Sequence, residues 1–170
     1  MKGPSAVRYP RGTGPGVPLV EEMTALPVGK AQTRREGRSG LAILVFGTLL
    51  EPALKIAERL DATIVNMRWI KPLDEDLVIA VASRHRAIIT IEENATIGGA
   101  GSAVGELLAS EGLLIPLLQL GIPDRFIEHG SRDSCLVAAG LDAAGLTSSI
   151  ERWWALQTRE RERIRSAGGA

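Results

Sequence analysis

Single-residue chemistry is scarce in this chain. Cys135 is the only cysteine among 170 residues, which excludes an intramolecular disulfide and a cysteine-based metal site and fits a reducing compartment. Charge of one sign is also missing: Lys+Arg and Asp+Glu are equal at 20 each, so no whole-molecule field draws the chain to nucleic acid or to an anionic membrane. No apolar run approaches the roughly 20 residues that cross a bilayer. The start Met1-Lys2-Gly3-Pro4-Ser5 lacks the apolar core of a signal peptide. These absences read as a cytoplasmic protein. What the chain has is 45% hydrophobic residues, enough for one domain with a real core.

Residues 1–40 do not open like a domain. Arg8-Tyr9-Pro10-Arg11-Gly12-Thr13-Gly14-Pro15-Gly16 packs glycine and proline too densely for a helix or a central strand. The stretch from Pro27 to Gly40 leaves room for an edge strand before a polar turn. Regular alternation starts at Leu41: Leu41-Ala42-Ile43-Leu44-Val45-Phe46 is a continuous apolar run of the kind covered on both faces. Thr48 and Glu51 stand in the spacing of a capping box at the head of a helix bearing Ala53, Ile56, Ala57 and Leu60. Strands at 63–67, 87–91 and 115–120 follow, with a helix opened by Pro72-Leu73-Asp74 and another after the glycines at 98–101. A short helix near 134–139 and a final one from about Asp142 end the pattern, and 159–170 is a charged, fraying tail. Strands alternating with helices predict an α/β fold, a three-layer sandwich around a mainly parallel sheet.

The chemical candidates are few. Gly98-Gly99-Ala100-Gly101 enters a helix after an apolar strand, where backbone donors favour anions. The third glycine of a dinucleotide fingerprint would fall at Val104, however, and Glu92 and Glu93 put two negative charges beside any pyrophosphate. Close packing of this helix start against another domain or subunit is the favoured reading. Ser102 lacks the flanking glycines of a nucleophile elbow, His85 and His129 have no nucleophile-and-orienter set, Cys135 reads as a quiet thiol, and no metal-ligand spacing occurs. Arg8 and Arg11 sit on a stiff arm whose guanidinium groups suit a phosphate or carboxylate. From spacing alone, an exposed linker arginine without a ligand is the simpler reading.

Taken together and in order, Arg8-Tyr9-Pro10-Arg11-Gly12, Phe46-Gly47-Thr48, Lys71-Pro72-Leu73-Asp74, Glu92-Glu93-Asn94, Gly98-Gly99-Ala100-Gly101-Ser102, Gly121-Ile122-Pro123-Asp124 and Gly140-Leu141-Asp142-Ala143-Ala144-Gly145 resemble the C-terminal part of the 1-deoxy-D-xylulose-5-phosphate synthases. Individually the motifs also suit transketolases and 2-oxo acid dehydrogenase beta subunits. The resemblance implies that residues 1–40 are the tail of a pyrimidine-binding domain plus linker. Residues 41–158 would then be a transketolase C-terminal-like domain with a five-stranded sheet. It further implies an enzyme, homodimeric at full length, that uses thiamine diphosphate and Mg2+ to join pyruvate and glyceraldehyde 3-phosphate with loss of CO2. Such an enzyme feeds isoprenoid and thiamine biosynthesis.

The family's diphosphate-and-magnesium motif, its catalytic histidines and its activating glutamate have no counterpart here, so the chain alone is expected to be inactive and to bind neither group. The family's phosphate-gripping arginine maps to Arg11, with Arg8 as the fallback. Glu93, Gly98, Gly99 and Gly101 are expected to face the missing catalytic domains. The competing readings are a free-standing anion- or nucleotide-binding module and a regulatory protein descended from such a domain.

Overall fold

The Leu41–Phe46 run forms the strand around which the sheet is built. In the computed structural model, which describes residues 3–10, 12, 14, 16 and 21–167, all six of its residues are buried. The elements are β1 (Gln32–Arg35), β2 (Leu41–Phe46), α1 (Leu50–Arg59), β3 (Thr63–Asn66), α2 (Glu75–Arg84), β4 (Ala87–Ala95), α3 (Ala100–Ser110), β5 (Leu117–Ile122), α4 (Arg132–Ala139) and α5 (Ala143–Ala167). The sheet order is β1-β3-β2-β4-β5. β2 runs parallel to β3 and to β4, and β4 parallel to β5, while β1 joins β3 antiparallel at one edge.

Period-two alternation splits β2 between two cores. Leu41, Ile43 and Val45 join Ala53, Ile56, Ala57, Leu146 and Ile150 beneath α1 and α5. Ala42, Leu44 and Phe46 join Val78, Val81, Val104 and Leu108 beneath α2 and α3. The result is the expected three-layer sandwich, with each fully buried Leu or Ile contributing about 1.5–3 kcal/mol of transfer free energy. The Arg86 guanidinium lies 5.2 Å from the Trp154 ring centroid and ties α5 to the turn before β4.

Helix caps show where spacing misled. Thr48 and Glu51 make no capping box: α1 starts after Leu49 with no side-chain cap, because the Thr48 hydroxyl donates instead to Glu93. Asp74 does cap α2, accepting from Leu77 N at 3.4 Å. It also accepts from Ala31 N at 2.8 Å and from Lys30 Nζ at 3.1 Å, which clamps the segment before β1 to the domain. Burial alone would push the Asp74 carboxyl up, but these donors outweigh it and hold it below its usual value. β4 runs four residues beyond the expected strand, through the Glu92-Glu93 pair, and β5 starts two residues later than expected. Pro116 falls just outside β5, and its carbonyl accepts from Ile88 N at 2.9 Å.

Candidate docking face at the carboxyl ends of the strands

Parallel strand β2 ends at Phe46 beside Glu92, and β4 ends three residues later at Ala95, so their following loops share one end of the sheet. In open α/β sheets, ligand sites lie at this carboxyl end of the strands. Two neighbouring glutamates define it, and they do different things.

Glu92 is buried and turns inward. Its two carboxylate oxygens accept from Ala100 N and Gly101 N, each at 2.8 Å, so a strand residue caps the N-terminus of α3. The α3 N-cap residue, Gly99, supplies no side-chain cap itself. A Cβ on Gly99 would lie 2.6 Å from both Glu92 carboxylate oxygens and 2.2 Å from the Ala95 carbonyl. One on Gly101 would lie 2.5 Å from Thr90 Oγ1. Both glycines therefore have a close neighbour within their own domain. Gly98 differs: it is exposed, sits at φ +71° and has open space where a Cβ would go. The same geometry answers the anion reading, because the donors an anion would use are taken by an internal carboxylate.

Glu93 points outward and is half-buried. Its Oε1 accepts from Thr48 Oγ1 at 2.7 Å and is paired with the Arg132 guanidinium, whose Nη2 also donates to Thr48 Oγ1 at 2.9 Å. Ser131 caps α4 through Ser134 N at 3.1 Å and so fixes where Arg132 begins that helix. A shallow cleft of about 240 Å³ opens beside this triad, between the starts of α1, α4 and α5. Arg132 was invisible to motif reading: it is 84 residues from Thr48, and nothing in its local spacing marks it.

The remaining candidates are dispersed. Arg8 stands exposed on an irregular stretch with no hydrogen bond or ion pair among the described residues, and Arg11 lies outside them. His85 is spent on structure, with Nδ1 2.8 Å from the Val81 carbonyl and Nε2 2.8 Å from Thr63 Oγ1. His129 is exposed, and Cys135 is half-buried with Sγ 3.7 Å from the Glu128 carbonyl. Among the described residues no three His, Cys, Asp or Glu side chains gather as a metal site. A diphosphate–magnesium group needs clustered carboxylates and free backbone donors. The described residues gather no such carboxylate cluster, and the α3 donors are already taken by Glu92. No helix among them is long and apolar enough to cross a membrane.

Comparison with known proteins agrees with this geometry. The family described as transketolase, C-terminal domain, matches residues 29–146. A 1-deoxy-D-xylulose-5-phosphate synthase of Thioalkalivibrio sulfidiphilus is 57% identical over 150 residues, covering 88% of this chain and 23% of the relative. One from Acidovorax ebreus is 58% identical over 154 residues, covering 90% and 24%. The chain thus spans about a quarter of the length of the curated relatives it matches. Among solved structures, a split-gene transketolase described as an inactive β4 tetramer aligns with TM-score 0.68 and 30% identity over 76% of this chain and 43% of that one. A Campylobacter jejuni transketolase, at TM-score 0.54 and 17% identity over 73% of this chain and 18% of that one, shares the fold.

Proposed function

Since the chain belongs to the transketolase C-terminal domain family, we propose that it is the C-terminal part of a 1-deoxy-D-xylulose-5-phosphate synthase. In this reading the parent is a cytoplasmic homodimer that condenses pyruvate with glyceraldehyde 3-phosphate, with loss of CO2. Thiamine diphosphate and Mg2+ are held by the parent's other domains. This part supplies a rigid face on which those domains sit and helps to hold the dimer. The observation that carries the reading is 57–58% identity across 88–90% of the chain to synthases of which it spans a quarter.

The chain alone is inactive on this reading, since its described residues gather no metal-ligand cluster. The inactive β4 assembly of the split-gene transketolase relative supports the same conclusion. The Glu93–Thr48–Arg132 triad and the Gly98 turn form the contact face. Arg11, with Arg8 as the fallback, grips the substrate phosphate once the preceding domain positions the arm. The free-standing anion module is the weaker reading, because Glu92 already fills the α3 mouth.

The test replaces the matching quarter of the Acidovorax ebreus synthase with this chain. The chimera is expected to form product from pyruvate and glyceraldehyde 3-phosphate within about tenfold of its parent. The isolated chain is expected to form none and to give no calorimetric heat with thiamine diphosphate or ATP. A folded but dead chimera, or micromolar binding by the isolated chain, would overturn the proposal.

A further inference from the structure

The two edges of the sheet are built differently. β1, at one edge, is four residues of Gln-Thr-Arg-Arg, with its register broken between Thr33 and Arg35. Charge and irregularity of that kind guard an edge against strand addition. β5, at the other, is Leu117-Leu118-Gln119-Leu120-Gly121-Ile122: six residues with no charge, no proline and no bulge of their own. Every one of them is half-buried, and β4 is the one strand paired with it among the described residues.

Hydrogen-bond direction fixes which groups of β5 face out. Ile88 N donates to the Pro116 carbonyl and Thr96 N to the Ile122 carbonyl, so the even-numbered residues turn their backbone groups toward β4. By alternation, the N–H and C=O of Leu117, Gln119 and Gly121 point outward. That set is self-complementary about Gln119. An antiparallel second copy would pair Gln119 with itself and Leu117 with Gly121, making about six main-chain bonds. Leu118 would meet Leu120 of the copy across the two-fold. Both lie on the α1–α5 side of the sheet, so the pair would extend that core from one molecule into the next. With equal numbers of acidic and basic residues, two copies carry no net repulsion.

We infer that β5 is the self-association edge of this chain, joining two copies into one ten-stranded sheet. This rests on the homodimer reading above and names its surface. In this register Leu114 of one copy lies opposite Asp124 of the other. Both are exposed, while within one chain they are separated by about 33 Å of extended backbone.

In a Cys135→Ser background, Leu114→Cys with Asp124→Cys is expected to link two copies through a short bis-maleimide, and neither single variant should. Gln119→Pro removes an outward N–H at the centre of the pair and costs no bond to β4. It is expected to convert a dimer to a monomer in light scattering with an unchanged circular dichroism spectrum. Failure of the double variant to cross-link overturns the pairing, whether or not Gln119→Pro folds. A dimer that persists without the cross-link keeps the homodimer reading and refutes this edge. A monomeric wild-type chain also refutes it, and the chimera's own mass then decides whether the homodimer reading survives.

Discussion

Glu92 and Glu93 are adjacent in sequence and lie on opposite sides of β4, and their difference separates a contact that holds this domain together from one at its surface. The inward carboxylate has both oxygens committed to backbone donors of α3 and is sealed by two glycines. The outward one shares a hydroxyl and a guanidinium at the rim of an open cleft. The inner arrangement is sterically exact and intolerant of change. The outer one is partly solvated.

The comparison breaks most severely at Gly99. Its φ of −82° is ordinary for any residue, so the constraint is space alone: a side chain must displace the Ala95 carbonyl and the Glu92 carboxylate together. Gly99→Val should cost about 3 kcal/mol or more and leave the isolated chain partly or wholly unfolded in a thermal melt. A folded mutant with wild-type Tm would return Gly99 to the docking role expected from sequence.

Next in size is the carboxylate itself. Glu92→Ala leaves the Ala100 and Gly101 N–H groups buried without acceptors, at about 2–4 kcal/mol. Glu92→Gln keeps one acceptor and should lose less. Glu93→Ala, on the same scale, should cost under about 1 kcal/mol. Urea titrations of the three variants measure the contrast directly, and equal losses at 92 and 93 would erase it.

Legibility in the sequence follows the same division. The six-residue apolar run, the helical spacing of Ala53, Ile56 and Ala57 and the Asp74 cap were readable because they are local patterns of burial and capping. The glycines were readable as needing a close neighbour. The identity of that neighbour was not, because Glu92 lies seven residues before Gly99, in a strand that runs past its apolar stretch to Ala95. Thr48 has a local partner in capping-box spacing, Glu51, and bonds a distant one, Glu93. Arg132 had no local signal at all. Long-range polar contacts are set by how elements assemble, and no period in the sequence encodes them.

Asp74 shows whether inner carboxylates form a class. Like Glu92 it is buried and accepts from backbone donors, and its pKa is held below the ordinary carboxylate value. A depressed acid contributes stability above its unfolded pKa of about 3.9 and loses that contribution as pH falls through the lower folded value. Asp74→Asn should therefore cost about 1–2 kcal/mol at neutral pH and flatten the stability curve below about pH 4. A mutant with the wild-type acid slope would show that other carboxylates set it.

The smallest effect on stability should come from Arg132, and it carries the most information about function. Its pair with Glu93 is partly solvated on both sides, so Arg132→Ala should lower the stability of the isolated chain by under about 1 kcal/mol. If the triad is a contact face, the same change in the synthase chimera should weaken activity or assembly several-fold, and less strongly at high salt, where the wild-type charge is itself screened. Arg132→Lys keeps the charge but shortens the reach of the Nη2 that contacts Thr48 and Glu93 together, and should recover the loss only in part. Activity in the chimera that is indifferent to both substitutions would make the outer glutamate a surface ion pair and nothing more.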